Sequence, residues 1–207
     1  MEQLRSHITQ WRQNPRAIIG IEGYSGAGKT TLVDQFASVD ASILPIHLDD
    51  FIRPWSEREK LLIQPHVNQS EVFQTKWYQY DLLYKLLDTY KKGAHSTFTA
   101  TLYDFNTHTL SRTCIFDLTK DMILLEGIFL FQHKLALNSK IDKRVFLKID
   151  HSIGDARRIN RERERWGNDY LGEDHPDSYV HIYKKAYAEY LLAENPERQA
   201  DLVISVN

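Results

Sequence analysis

The 207-residue chain has the length of one ordinary domain, and 42% of its residues are hydrophobic, which is enough apolar material for a full core. Lys and Arg total 26 against 28 Asp and Glu, and the formal net charge of −2 disfavours a broad nucleic-acid-binding surface. The apolar runs are too short to span a bilayer, and the amino terminus carries no stretch resembling a signal peptide. The single cysteine excludes an internal disulfide and fits a reducing compartment, so we expect a cytoplasmic protein with no membrane or nucleic-acid partner.

In chain order, the apolar pattern alternates between helices and short buried strands. An amphipathic helix is expected over residues 1–13, and strand 17–22 then runs into a glycine-rich turn. Further helices are expected at 29–37, from near Tyr78 through 81–87, at 153–165 and at 179–192, and further strands at 42–47, 97–103, 122–126, 144–149 and 201–206. This alternation predicts an α/β fold with a mostly parallel central sheet, built as a single domain over residues 1–207.

Residues 23–30, GYSGAGKT, match the phosphate-loop pattern G-x-x-x-x-G-K-[ST] in full and lie between an apolar strand and a helix. In such a loop, successive backbone N–H groups surround phosphate oxygens, and glycine permits the positive φ angles that this requires. We expect Lys29 to reach the β- and γ-phosphates of ATP and the Thr30 hydroxyl to bind Mg²⁺. The fold is therefore predicted to be a three-layer P-loop NTPase with helices flanking the sheet, and its ATP site to comprise Gly23, Tyr24, Ser25, Gly26, Ala27, Gly28, Lys29, Thr30 and Thr31.

Two acidic positions follow predicted strands at the edge of the sheet where ligands bind. Asp49, with its neighbour Asp50, comes directly after strand 42–47, where a small-molecule kinase needs a carboxylate to take the proton of a substrate hydroxyl. Glu126 ends strand 122–126 and can hold Mg²⁺ directly or through water. A GTPase would need a guanine-binding N-K-x-D segment, and residues 139–142, SKID, have the wrong first residue. These features favour a small-molecule kinase.

Four segments together resemble the uridine–cytidine kinases and their relatives, which include nicotinamide riboside kinases, pantothenate kinases and phosphoribulokinases. They are GYSGAGKTT, HLDDF followed by Arg-Pro, LYDFNTH at 102–108 and LLEGIFLF at 124–131, and the resemblance covers most of residues 17–206. It implies Asp49 as the general base, Thr30 and Glu126 around Mg²⁺, and Tyr103 and His108 against a pyrimidine base. We therefore expect a kinase that uses ATP and Mg²⁺ to phosphorylate the 5′-hydroxyl of a pyrimidine nucleoside.

The ribose-binding segment departs from that family. Uridine kinases carry F-D-x-P-x-A there, whereas residues 76–81 of this chain are KWYQYD and lack the proline. Asp81 is the candidate for the ribose-binding acid, with a first-turn helix acid as the alternative. Another hydroxylated acceptor, such as nicotinamide riboside or pantothenate, therefore stays open. So does a regulator that binds ATP without transferring phosphate, although such a protein would have no need of Asp49 as a base.

An arginine-rich run follows the strand at 144–149. Arg157, Arg161 and Arg165 are spaced one helical turn apart, so they share one face of a helix. Charged runs usually form solvated helix faces, but in the family that the chain resembles an arginine-rich helix here forms a mobile lid over ATP. We expect a lid over about 153–170 that supplies guanidinium groups to the transferring phosphoryl. The sequence leaves open whether the protein forms a homo-oligomer and whether ATP or GTP is the donor.

Overall fold

The computed structural model describes residues 2–175 and 178–206, and the strands of its central sheet follow the apolar runs of the sequence. The strands Ala17–Gly23 and Met122–Gly127 are buried along their whole length, as is typical of strands inside a sheet covered on both faces. In the described part of the chain the strands are β1 (Ala17–Gly23), β2 (Ile43–His47), β3 (Thr97–Asp104), β4 (Thr109–Asp117), β5 (Met122–Gly127), β6 (Lys143–Lys148) and β7 (Leu202–Ser205).

The helices carry the amphipathic segments, and two short 3₁₀ helices, Leu48–Phe51 and Gly167–Asp169, accompany them. The described α-helices are α1 (Glu2–Trp11), α2 (Lys29–Val39), α3 (Trp55–Leu62), α4 (Gln69–Thr75), α5 (Tyr80–Lys92), α6 (Leu137–Lys140), α7 (His151–Trp166), α8 (Val180–Glu194) and α9 (Pro196–Gln199). α7 begins before the predicted residue 153 because the Asp150 side chain accepts a hydrogen bond from the Ser152 N–H at 2.8 Å and caps the helix. Within the described residues, no helix combines the length and the apolar character that a bilayer crossing requires.

The central sheet has five strands in the order β2-β5-β1-β6-β7, and all of its neighbouring pairs are parallel. This confirms the predicted three-layer α/β fold, with α2 packed against β1, β2 and β5. Pro45 lies in β2, an edge strand, where a missing backbone donor is tolerated. Because β1 has β5 on one side and β6 on the other, the connections diverge at its carboxyl end and leave a crevice for ligands there.

A separate antiparallel hairpin, β3–β4, lies beside this crevice. The sequence predicts β3 but gives no signal for β4, whose residues alternate between exposed and half-buried without an apolar run. Phe116 of β4 stacks against Phe51 of the 3₁₀ helix that follows β2, with ring centres 6.2 Å apart. The hairpin is therefore attached next to the residue predicted to act as a base.

Candidate active site

The loop between β1 and α2 depends on glycine at two positions. Gly26 and Gly28 have φ angles of 81° and 83°, in the left-handed region that other residues rarely adopt. Gly26 also passes very close to α7, because a Cβ at this position would lie 2.3 Å from the carbonyl oxygen of Gly154. The loop therefore has the backbone shape that surrounds phosphate, and it packs directly against the amino-terminal part of α7.

Aromatic residues hold this loop in place against α7 and α8. The Tyr24 ring stacks on His151 with ring centres 4.2 Å apart, and the Tyr24 hydroxyl donates a hydrogen bond to Asp155 at 3.0 Å. The Ser25 N–H donates to the Tyr183 hydroxyl of α8 at 3.0 Å. These contacts hold the loop between α7 and α8, so its shape depends on helices far away in sequence.

Lys29, the first residue of α2, folds back over the loop. Its Nζ donates hydrogen bonds to the carbonyl oxygens of Gly23 at 2.8 Å and Tyr24 at 3.1 Å, and the side chain is buried. Burial lowers the pKa of the ammonium, while the negative charges of Glu126 and Asp49 act in the opposite direction. Neutral carbonyl groups compensate a buried cation only in part, so this position is suited to an anion such as phosphate.

Thr30 and Glu126, which the sequence predicts to share a metal ion, are in direct contact. The Thr30 hydroxyl donates to Glu126 Oε1 at 2.9 Å, and the Nδ1 of His47 lies 3.0 Å from the same oxygen. His47 is the register partner of Glu126 on the neighbouring strand, and its Nε2 lies 3.2 Å from Asp34. Burial alone would raise the pKa of Glu126, but the hydrogen bond with His47 and the charge of Lys29 outweigh it, so the pKa is lowered. The carboxylate is therefore ionised at neutral pH.

These residues fit Mg²⁺. The Thr30 hydroxyl and the Glu126 carboxylate are hard oxygen ligands placed side by side, which is the donor chemistry that Mg²⁺ prefers. Within the described residues, no group of three or more His, Cys, Asp or Glu side chains forms a metal cage. Mg²⁺ does not require one, since water and substrate phosphates commonly complete its coordination. The two residues therefore fit an ion that the protein and a phosphate coordinate together.

Asp49 lies in the 3₁₀ helix directly after β2, at the carboxyl edge of the sheet. Its side chain is accessible from the cleft, yet protein atoms surround it on most sides. This incomplete hydration and the nearby charge of Glu126 raise its pKa, while Lys29 and a hydrogen bond from the Tyr78 hydroxyl, at 3.1 Å, lower it in part. A carboxylate that a substrate can reach and whose pKa is raised is well suited to accept a proton.

The adjacent acid, Asp50, has a different partner. Its carboxylate forms an ion pair with Arg112 of β4. Two neighbouring carboxylates would repel each other without cations, and here the cations come from two separate elements, Arg112 for Asp50 and Lys29 for Asp49. Asp50 therefore ties the β3–β4 hairpin to the 3₁₀ helix, and Asp49 stays accessible to a ligand.

Tyr103 and His108, predicted to contact the acceptor, form a pair at the end of the hairpin. The Tyr103 hydroxyl lies 3.0 Å from His108 Nδ1, and the Tyr103 side chain is buried. The pairing register of the two strands shifts between Leu102 and Tyr103. The ring of His108 stacks on Trp166, the last residue of α7, with centres 5.7 Å apart and planes 13° apart. The hairpin end therefore contacts the far end of the arginine-rich helix.

The three predicted lid arginines lie along one face of α7, as their spacing predicts. Arg157 and Arg161 lie over the phosphate loop, with their guanidinium nitrogens 3.4 Å from the Gly26 carbonyl oxygen and the Ser25 hydroxyl, respectively. Arg165 lies further along, 5.1 Å from the ring centre of Phe105 in the hairpin end. The face thus runs from the loop to the hairpin.

Arg158 has a structural role. The sequence does not distinguish it from the neighbouring arginines of α7. It is buried and bonds to Glu162 at 3.1 Å and Asp155 at 3.5 Å within α7, and it forms an ion pair with Glu173. Lys184 of α8 bonds to both Asp155 and Glu173 at 2.9 Å. This network joins α7 to α8.

Residues 18–207 match the model of the Phosphoribulokinase / Uridine kinase family. The chain belongs to this family. It is a small-molecule kinase, and its membership implies phosphoryl transfer from ATP to an alcohol group.

The individual relatives agree with this assignment. A uridine kinase from Borrelia duttonii is 27% identical over 187 residues, which cover 90% of this chain and 85% of that protein. A possible uridine kinase from Bacillus stearothermophilus has a solved structure that superposes with a TM-score of 0.68 at 23% identity, covering 98% of this chain and 99% of that one. The phosphoribulokinase from Rhodobacter spheroides superposes with a TM-score of 0.62 at 13% identity, covering 92% and 70%. At these identities the structural likeness establishes the fold.

In this kinase, Asp81 lies in the first turn of α5 and is exposed to solvent. A carboxylate there interacts favourably with the amino end of the helix dipole, which was the alternative considered for it. Tyr78, three residues earlier in the divergent segment, is the residue that bonds to Asp49. A ribose contact by Asp81 stays a prediction.

Three side chains of this region carry no role in the sequence-based prediction: His47, Tyr78 and Arg58. His47 could have been predicted, because it ends a strand, and parallel strands end at the edge of the sheet where ligands bind. Tyr78 and Arg58 carry no comparable signal. Their positions depend on how α3 and the segment before α5 pack around the 3₁₀ helix.

Proposed function

We propose that this kinase transfers the γ-phosphoryl group of ATP to the 5′-hydroxyl of a nucleoside, with a pyrimidine nucleoside as the first acceptor to test. The observation that carries the proposal is the grouping of Lys29, Glu126 and Asp49, which interact electrostatically at the carboxyl edge of the sheet. A cation for phosphates and an accessible carboxylate with a raised pKa are the two requirements of an alcohol kinase.

In this proposal the donor side is the phosphate loop. Lys29 exchanges its carbonyl partners for the β- and γ-phosphate oxygens, and Arg157 and Arg161 face the same loop from α7. Thr30 and Glu126 would hold Mg²⁺, which supplies charge neutralisation for the phosphates when it is bound. Residues 153–170 act as the lid, and residues 1–207 form one kinase domain. A cytoplasmic location belongs to the proposal.

On the acceptor side, Asp49 accepts the hydroxyl proton as the oxygen attacks phosphorus. The raised pKa of Asp49 makes it a stronger base than an ordinary aspartate, and the hydrogen bond from Tyr78 fixes its orientation. Catalysis is then mostly positioning and electrostatic stabilisation, as phosphoryl transfer requires.

Tyr103 and His108 support a flat acceptor group. A tyrosine ring offers a face for stacking and a histidine a donor or acceptor for a ring edge, and the pair lies next to the lid end at Trp166. The exposed position of Asp81 favours a second candidate, a hydroxylated acceptor without ribose. Such an acceptor would need no acid at that position.

The test is a panel of nucleosides and vitamin alcohols incubated with ATP, with and without Mg²⁺, while ADP release is followed. Acceptor-dependent ADP release that is lost in Asp49→Asn supports a kinase with Asp49 as base. An intact affinity for a non-hydrolysable ATP analogue, with no ADP release for any acceptor, would instead indicate the regulator.

A further inference from the structure

Arg58 of α3 has unusual surroundings for a partly buried arginine. Its guanidinium carbon lies 5.0 Å from the ring centre of Trp55, 4.9 Å from that of Trp77 and 6.0 Å from that of Tyr103. Trp77 and Tyr103 are themselves buried. The cation is therefore held among aromatic rings.

No carboxylate pairs with Arg58 among the described residues, and its Nε is buried without a hydrogen-bond partner. Arg12 and Arg158 also have a buried Nε without a partner, so what distinguishes Arg58 from the other arginines that are buried or half-buried in the described chain is its lack of an oxygen partner among carboxylates, amides and backbone carbonyls. Each of those bonds to a carboxylate, amide or carbonyl oxygen: Arg12, Arg16, Arg53, Arg112, Arg144 and Arg158.

Because no anion pairs with Arg58, an added anion would bind it more strongly than its aromatic neighbours do. Burial lowers the pKa of its guanidinium, but arginine stays charged at neutral pH because its pKa starts so high. Aromatic faces attract such a cation, but a carboxylate or phosphate that bonds to both edge nitrogens binds it more strongly and with a defined geometry. Arg58 is thus a pre-positioned cation with unused donors.

The position of Arg58 connects it to the acceptor side of the cleft. The tyrosines whose charges act on it include Tyr103, whose ring it contacts, and Tyr78. Tyr78 donates to Asp49, and Tyr103 bonds to His108. Two of the tyrosines around Arg58 thus contact residues assigned above to the acceptor hydroxyl and the acceptor ring.

We propose that Arg58 is an anion-binding residue of the acceptor site and that the acceptor carries a carboxylate or phosphate group in addition to the hydroxyl that is phosphorylated. This inference rests on the proposed function, since it takes the hydroxyl to lie at Asp49. A nucleoside with an anionic ring substituent offers a hydroxyl to Asp49 and an anion to Arg58. A short hydroxy acid or a sugar phosphate does the same. A neutral nucleoside leaves Arg58 without a counterion.

Matched pairs of acceptors test this. Each pair differs in the anionic group: orotidine and uridine, pantothenate and panthenol, and ribulose 5-phosphate and ribulose. ADP release with ATP and Mg²⁺ gives kcat/KM for each compound. We expect the anionic member of at least one pair to exceed its neutral partner by about tenfold or more, and the pair in which this occurs distinguishes carboxylate from phosphate.

Variants identify the residue. Arg58→Met keeps an unbranched chain against the rings and removes the charge, so it should abolish the preference for the anion by raising KM for the anionic acceptor more than KM for its neutral partner. Arg58→Lys retains the charge and should restore part of the preference. Arg5→Met is the matched control, because it removes an exposed arginine lying 5.9 Å from the Phe36 ring centre, and it should leave the preference unchanged. Thermal unfolding midpoints verify that each variant is folded.

The outcomes separate the two proposals. If neutral members equal or exceed anionic members in every pair while ADP is released, the anion site is refuted and the kinase proposal stands. The same holds if Arg58→Met is folded and keeps the preference for the anion. If no compound in the panel releases ADP, the proposed acceptor chemistry and the anion site both fail.

Discussion

Glu22 offers a direct test of the charge balance beneath the phosphate loop. It is fully buried in β1, where its Oε2 accepts hydrogen bonds from the Tyr190 hydroxyl at 2.7 Å and the Phe131 N–H at 3.1 Å, and its Oε1 has no partner. Burial raises its pKa from 4.5 to about 7, with both hydrogen bonds and Lys29 opposing the shift. The folded protein therefore retains a proton that the unfolded chain releases at lower pH.

The sign and size of the effect follow from linkage. Below pH 4.5 the carboxyl is protonated in both states, and its contribution to stability is fully present. As pH rises from 4.5 to about 7, the unfolded chain ionises first, and the free energy of unfolding falls. A difference of two to three pH units corresponds to about 3 kcal/mol, at ~1.4 kcal/mol per unit. Above pH 7 the loss is complete.

The assay compares urea unfolding of the wild-type protein and Glu22→Gln at several pH values between 4.5 and 8. Glutamine keeps an oxygen that accepts from Tyr190 and Phe131 but carries no charge at any pH, and other titrating groups cancel in the difference. As pH rises, we expect the free energy of unfolding of the variant to increase by about 3 kcal/mol relative to that of the wild type. This corresponds to a shift of roughly 1 M in the urea midpoint. A difference that stays constant with pH, or that moves the other way, would refute a buried carboxyl with a raised pKa.

Four substitutions test the proposed chemistry. Asp49→Asn should lower turnover by about 10²-fold or more, while its affinity for an ATP analogue, measured by calorimetry, stays unchanged. If Asp50→Asn loses turnover and Asp49→Asn does not, the base was assigned to the wrong neighbour. Lys29→Ala removes the cation that folds over the loop and should weaken ATP binding, turnover or both, and undiminished values for both would remove the phosphate loop from the mechanism. His108→Ala should raise KM for the acceptor by an equivalent of about 1–3 kcal/mol with KM for ATP little changed, and equal changes in both would contradict an acceptor contact.

The sequence predicts the central sheet well because its strands are buried on both faces. Segments such as 17–22 and 122–126 are continuous apolar runs, and β1 and β5 match them closely. The hairpin strand β4 escapes prediction because it is antiparallel and half-exposed, so its residues form no apolar run. Its place beside the 3₁₀ helix depends on tertiary contacts, the Asp50–Arg112 ion pair and the Phe51–Phe116 stack, that no local pattern encodes.

The contact between Thr30 and Glu126 could be predicted for a general reason. One residue belongs to the phosphate-loop motif and the other ends a buried parallel strand, and parallel strands end at the same edge of a sheet. Arg58 could not be predicted in this way. It lies in the segment WSEREKLL, whose charges resemble those of an ordinary solvated helix, and its aromatic neighbours Trp77 and Tyr103 come from distant parts of the chain.

The two sides of the active site are thus encoded differently, and this bears on how far a relative's substrate can be transferred to this chain. The donor side consists mainly of one contiguous loop that the backbone shapes, so its chemistry persists wherever the motif persists. On the proposed acceptor side, the residues come from four separate segments and meet only through packing: Asp49, Arg58, Tyr78, Tyr103 and His108. A change in one of those segments alters the charge or shape of the proposed acceptor side without touching the phosphate loop. At 27% identity, a uridine kinase relative therefore supports ATP-dependent phosphorylation of an alcohol in this chain, whereas the acceptor has to be established from the charges around Asp49 and Arg58.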